Sequence, residues 1–309
     1  MQLSWREFSR GKADRADVKE FSQRLEYNLF RLHYELLSGD YRHSHYTSFI
    51  IADPKLRHIH KARVKDRIVH HAINRILSPI YESSFIFDSY SSRRGKGSHR
   101  AICRLRNFAW KLSCNNTSDI WFLKGDIRKY FASVNQAILI DILSRKIKDY
   151  KTAKLLEEII FSFADNPGRG IPLGNLTSQL FANVYLDPFD QYVKRQLKVK
   201  YYVRYADDFI IVAKDKEYLH DLIPILSNFL ASELDLDLHP DKISLRPWHR
   251  GIDFLGYVIF PYHTILRPKT KRRMLKRANK NNLASYLGLL CHCRGYQLKN
   301  KIAKIAEFC

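Results

Sequence analysis

Two aspartates stand side by side in "YYVRYADDFIIVAK", residues 201–214, with strand-forming aromatic and β-branched residues on both sides. That pattern predicts a β-hairpin with Asp207 and Asp208 at its tip. Adjacent like charges raise each other's proton affinity unless water or a cation separates them. The tip is therefore either a wet turn or a metal site. A third acid, Asp126, ends the apolar run "WFLKGD", 81 positions earlier (207 − 126). Strands so far apart in sequence can still pair. Side by side, they would gather three carboxylates at one sheet edge, where two divalent cations about 3.5 to 4 Å apart could be bridged. Mg2+ is favoured because it takes oxygen ligands, keeps waters and is completed by substrate phosphates, and Mn2+ could substitute. Such a pair activates a hydroxyl and neutralises a leaving pyrophosphate, which is nucleotidyl transfer. Taken singly, Asp-Asp is also a common solvated turn and Asp126 a helix N-cap.

The elements that must position these acids are mixed helix and strand. In "DVKEFSQRLEYNLFRLHYELLSG", Val18, Phe21, Leu25, Leu29, Leu32 and Leu36 recur at helical spacing, and Gly39 is a stop. The first hundred or so residues read as helical and basic, with a second helix in "KDRIVHHAINRILSPIYESSF" broken by Pro79 and a third after the basic Gly-Ser loop in "SRRGKGSHRAICRLRNFAWKL". "DIWFLKGDIRKYFASV" changes to a strand ending near Asp126, followed by the helix "NQAILIDILSRKI"; "IDFLGYVI" adds strand, and the tail after residue 261 returns to basic helix.

The chain has 309 residues, and 53 Lys and Arg against 31 Asp and Glu leave a net charge of +22. The pI is near 9.8, so a polyanion is the expected partner. No apolar run approaches the roughly 18 residues of a spanning helix, and the charged amino terminus lacks a secretion core, so no membrane association and a cytoplasmic location are expected. Five cysteines without framework spacing fit a reducing compartment. Cys291-His292-Cys293 is poor geometry for tetrahedral zinc, and His58, His60, His70 and His71 read as helix or RNA-facing residues.

"YADD", "KGDIRKYFASV", "GIPLGNLTSQLFANVYLDPFD" and "IDFLGY" resemble the ordered motifs of reverse transcriptases over roughly residues 50–262. The resemblance implies an α+β right-hand polymerase with an antiparallel palm sheet packed on helices: fingers 1–118, palm 119–261 (part of 145–180 packing with the fingers) and thumb 262–309. It implies that Asp126, Asp207 and Asp208 are the catalytic metal ligands, with the Ile127 carbonyl a further ligand. Phe131 matches the aromatic gate against a ribose 2′-OH. Leu173-Gly174 and Ser178-Gln179 replace the Gln-Gly start and Ser-Pro end of most reverse transcriptases and intron maturases, and resemble the enzymes of diversity-generating retroelements. There the enzyme copies a template-repeat RNA into cDNA with errors opposite adenine. Gly174 would let backbone approach the nascent pair, and Leu173 would remove a hydrogen bond near it; the bland alternative for Leu173 is core packing.

By the same resemblance Lys55 and Arg57 bind the triphosphate, Arg57 standing nine residues before Asp66-Arg67. Gln179 lies in the nucleotide-binding motif, and Lys242 protonates the departing pyrophosphate. Arg93, Arg94 and Lys96 approach phosphate or template from a glycine-bearing loop, and Phe254, Leu255, Gly256 and Tyr257 form the primer grip. Implied partners are template RNA, a cDNA primer, dNTPs, a basic accessory variability protein and a structured RNA. The competing readings are an intron-derived or phage-defence reverse transcriptase, a viral RNA-copying polymerase, and a non-catalytic RNA-binding protein on the palm fold.

Overall fold

The computed structural model describes residues 1–52 and 56–307. The chain divides into two compact units, residues 1–87, 127–196 and 227–237 in the first, and 88–126, 197–226 and 238–309 in the second.

The second unit carries the acids. Its sheet runs β4-β5-β3-β6, all antiparallel, with β3 Trp121–Asp126, β4 Tyr202–Tyr205, β5 Asp208–Ala213 and β6 Ser244–Pro247. Alternation along β3 puts Phe122, Lys124 and Asp126 on one face, paired with Val212, Ile210 and Asp208. That face packs on the helix Ser98–Leu112, where Ile102, Leu105 and Phe108 meet Phe122, Ile210 and Val212 in one buried cluster. Phe209 and Ile211, on the opposite face, are also buried, which accounts for the unbroken apolar run after Asp208. A second sheet, β7 Ile252–Phe254, β8 Tyr257–Ile259 and β9 Thr264–Leu266, adds to the same core. "IDFLGYVI" is thus a hairpin, turning at Leu255 and Gly256, whose φ values of 50° and 90° are those of a primed turn. The tail forms helices Pro268–Arg277, Leu283–Leu290 and Tyr296–Glu307.

The first unit is helical around a hairpin, β1 Thr47–Ile51 with β2 Arg57–Lys61. This hairpin departs from the helical expectation for the first hundred residues; every residue of β1 is exposed, so no core-facing alternation marks it. The expected single helix from Asp17 to Ser38 is two, Ala16–Ser22 and Leu25–Ser38. Asn28 Nδ2 donates to the Phe21 carbonyl at 2.9 Å, satisfying an end group that the break exposes. Gly39 does end the second helix, at φ 82°. Pro79 does not break its helix, which runs from Val64 to Glu82. The proline falls in the last turn, and buried Tyr81, whose hydroxyl donates to the Leu143 carbonyl at 3.2 Å, pins that turn to the core. Among the described residues no helix is long and apolar enough to cross a membrane.

Candidate active site

Asp126 and Asp208 are directly opposite in the β3–β5 register, and Tyr205 pairs with Asp208, so Ala206 and Asp207 are the two-residue hairpin loop. The three acids predicted from sequence are brought together at one end of the sheet. Two features set the tip. Ala206 has left-handed backbone, φ 53°, and its carbonyl accepts from Nη1 of fully buried Arg204 at 3.0 Å. Arg204 also donates from Nη2 to Ser89 Oγ at 3.2 Å, which ties the loop to the segment before the basic Gly-Ser turn. Opposite, Gly125 pairs with Phe209, and a Cβ there would lie 2.3 to 2.9 Å from the Phe209 ring. The Gly of "KGD" is therefore what lets the Phe209 ring lie across β3 beside Asp126.

Each of two acids carries a lysine. Lys242 donates from Nζ to Asp126 Oδ1. It is delivered by the one-turn helix Pro240–Lys242, which is anchored where His239 N–H donates to the Asp126 carbonyl at 2.8 Å. Lys124 Nζ lies 3.7 Å from Asp208 Oδ1 and donates to the Asp253 carbonyl at 3.0 Å. Burial pushes the Asp208 carboxyl up to about 6; Lys124 opposes that rise, while Asp207, Asp126 and the hydrogen bond shared with Asp126 add to it. Sequence reasoning missed Lys124 and Arg204. Lys124 had a signal: two residues before Asp126 on a strand, it must share that acid's face.

Among the described residues no three His, Cys, Asp or Glu side chains form a ready cluster around one ion. The donor set nevertheless fits a hard cation completed by substrate oxygens: two half-buried or buried carboxylates face to face, a third beside them, and a proton affinity at Asp208 raised by burial and then by the neighbouring acids. Ile127 follows Asp126 with its side chain buried.

The other expected residues of this unit divide by exposure. Phe254 and Tyr257 are fully buried, and the Tyr257 hydroxyl donates to the Leu289 carbonyl at 2.9 Å. Their rings therefore hold the hairpin, and of the four only Leu255 and Gly256, at the turn, keep part of their surface exposed. Arg267 closes this turn, N–H to the Gly256 carbonyl at 2.9 Å and guanidinium on Asp253. Arg93 donates to the Ser89 carbonyl at 2.9 Å and Lys96 lies over the Tyr90 ring, so both shape their loop, whereas Arg94 is exposed.

In the first unit, Leu173 and Gly174 are stitched to β2. His60 N–H donates to the Leu173 carbonyl at 3.0 Å, and buried Asn175 donates to the His60 carbonyl at 2.7 Å while accepting from Ala62 N–H. Gly174 has φ 109°, and a Cβ would meet Ile59 at 2.8 Å, so the close approach it serves here is to the hairpin. Leu173 is half-buried, Gln179 and Arg57 are exposed, and Phe131 is half-buried with its carbonyl accepting from Ile171 N–H at 2.8 Å. Lys55 lies outside the described residues.

An antiparallel sheet presenting paired acids beside a tight hairpin is the arrangement of template-directed polymerases. The profile of "Reverse transcriptase (RNA-dependent DNA polymerase)" matches residues 52–259, and the chain belongs to that family. Among curated relatives it is 29% identical to Protein YkfC of Escherichia coli over 80% of this chain and 74% of that protein, and 25% identical to the group II intron-encoded protein LtrA of Lactococcus lactis over 66% and 44%. The yeast putative COX1/OXI3 intron 2 protein is 24% identical over 70% and 31%. The chain thus spans less than half the length of these two intron proteins. Among solved structures, apo telomerase from Candida tropicalis, truncated from its C-terminal domain, matches with TM-score 0.54 at 12% identity over 78% of this chain and 60% of that one. Candida albicans telomerase in complex with a telomeric RNA fragment matches with TM-score 0.52 at 15% identity over 83% and 54%. The fold is the right-hand polymerase fold.

Proposed function

We propose that this member of the reverse transcriptase family copies RNA into DNA by two-cation nucleotidyl transfer at Asp126, Asp207 and Asp208, with fingers at 1–118, palm at 119–261 and thumb at 262–309. The observation that carries the reading is the direct opposition of Asp126 and Asp208 with Asp207 in the intervening loop. Mg2+, or Mn2+ in its place, when bound would lower the pKa of the primer hydroxyl and neutralise phosphate charge. The chain's own residues do the rest. Asp126 and Asp208, with Asp207 and the Ile127 carbonyl, hold the cations; Lys242, already at Asp126, is placed to give a proton to the leaving pyrophosphate. Arg57 and Lys55 take triphosphate charge, Phe131 excludes a 2′-OH, and Gln179 with Leu173-Gly174 borders the nascent pair. Arg94 and the Leu255-Gly256 turn meet template and primer.

The Leu173-Gly174 and Ser178-Gln179 signature supports the diversity-generating type, copying a template-repeat RNA into adenine-mutagenised cDNA with a basic accessory protein and a structured RNA. The intron-encoded relatives favour a second reading, an intron-lineage enzyme. Sequencing cDNA from a defined RNA separates them: errors concentrated at template adenines support the first, an even low spectrum the second. For the chemistry itself, Asp207→Asn and Asp208→Asn each should abolish dNTP incorporation on an RNA template while RNA affinity stays within about twofold. Activity equal to the parent chain would reject the assignment.

A further inference from the structure

The acids occupy one end of the sheet, and a groove lies at the other. Trp121, at the far end of β3 from Asp126, pairs with Pro247, and Trp248 follows, its N–H donating to the Ile120 carbonyl at 3.0 Å. Five strand steps put this end about 17 Å from Asp126. Here a cavity of about 300 Å³ is lined by Cys103, Arg106, Asn107 and Trp110 on one side and Asn116, Trp248 and Pro261 on the other. The first four residues stand at i, i+3, i+4 and i+7 of the helix Ser98–Leu112, so one stripe of that helix forms the wall. The opposite wall is rigid: Asn116 accepts from Trp248 Nε1 at 2.8 Å and donates to the Pro261 carbonyl at 3.2 Å.

The stripe itself is uncommitted. Trp110 is 53% exposed although its helix has a well-formed buried face, and the side chains of Arg106 and Asn107 are exposed and make no hydrogen bond or ion pair among the described residues. Exposed His249, Arg250 and Arg246 follow or precede Trp248 in the chain, so the surroundings are basic. Tyr262, beside Pro261, is 74% exposed. An indole face, a free amide with both donors and acceptor, and a guanidinium within one helical turn are the three elements that single-stranded nucleic-acid sites combine: a stacking platform, a base-edge reader and a phosphate contact. The volume is at the lower end of small-molecule sites, room for one base and its sugar.

We propose that this groove holds one unpaired nucleotide of a single-stranded nucleic acid, its base stacked on Trp110 and hydrogen-bonded at its edge by Asn107, with a flanking phosphate on Arg106. The site is separate from the polymerase centre and does not depend on it, so its test needs no catalysis. The full 309-residue chain is photocrosslinked to an oligouridine RNA carrying one 5-iodouridine, with the matching DNA as a second arm, and adducts are mapped by peptide mass spectrometry. The expected adduct is on Trp110. Arg106→Ala with Asn107→Ala should raise the RNA concentration for half-maximal Trp110 adduct about tenfold or more. Arg106→Ala alone should reduce the salt slope of that half-point by about one. Trp110→Phe, which keeps a ring, should retain crosslinking in the groove, and primer extension on a short template should be unchanged in all variants. RNA preferred over DNA, or the two equal, both support the groove and tell whether a 2′-OH is read. Adducts confined to other surfaces, or a Trp110 adduct indifferent to the loss of Arg106 and Asn107 in folded protein, would overturn it.

Discussion

What a carboxylate can do here is decided by its neighbours. Lys124 and Lys242 supply the positive charge that two opposed acids require, and burial sets the Asp208 carboxyl apart from a surface aspartate. The acids were legible in the sequence because an Asp pair between apolar strands stands in one chain with a third acid ending another apolar run, though either alone is a common turn or cap; Arg204 was not, because its partners, Ser89 and the Ala206 carbonyl, are defined only by folding. His70 shows the same limit. It lies in the helix Val64–Glu82, as the helix reading expected, but is fully buried there, its Nε2 3.2 Å from His43 Nε2 and its Nδ1 without a hydrogen-bond partner among the described residues. Burial, then the charges of His43, His71 and Arg67, lower its pKa from 6.5 to about 3. A depressed folded value means that the neutral ring's contribution is intact above pH 6.5 and is lost progressively as pH falls toward 3. The loss from this group should be about 2 kcal/mol between pH 6.5 and 5. Urea unfolding at pH 7, 6 and 5 should therefore show a flatter pH dependence in His70→Gln than in the parent chain; parallel slopes would remove His70 from the account.

At the level of elements, strands and helices with a buried face were readable, and those whose limits depend on partners were not. β3, the helix Ser98–Leu112 and the helix Gln136–Ser144 fall where apolar spacing puts them, the last capped by Asn135, whose side chain accepts from Ala137 and Ile138 N–H. The β1–β2 hairpin, with β1 wholly exposed, has no such spacing and is held by a backbone bond to Leu173 and by the Asn175 side chain, both from over a hundred residues away. The "FLGY" segment misled in another way: its aromatic rings suggest a contact surface, yet they are the core of the hairpin. The tightest demand of any element on the site is at Gly125. Gly125→Ala must push the Phe209 ring out of its place over Gly125, an overpacking that costs roughly 1–3 kcal/mol. The expected outcome is a lower melting temperature together with lost polymerisation, because the same displacement shifts Asp126 relative to Asp208. Adding Phe209→Leu, which makes room for the methyl, should recover part of the melting temperature. A Gly125→Ala chain that melts with the parent would show that the ring has somewhere else to go.

For the whole molecule, the charge of +22 is the property that composition alone established, and its distribution is what the structure adds. The helix Pro268–Arg277 holds itself to the core by buried Met274 and turns Lys269, Lys271, Arg272 and Lys276 to solvent, a row of charge with the chemistry to meet phosphates and little part in folding. Binding of an RNA template and its primer should then be salt-sensitive, each neutralised phosphate contributing roughly 0.7 to 0.9 to the slope of log affinity against log salt. Replacing Lys271, Arg272 and Lys276 together by Ala should lower that slope by about two to three, with affinity nearly restored to the parent's at high salt, where the counterion term has vanished. Melting temperature should stay within a few degrees, since the three side chains are exposed. Filter binding across 50 to 400 mM salt measures the slope directly. An unchanged slope would mean that the duplex is gripped elsewhere and that this helix carries its charge for another partner.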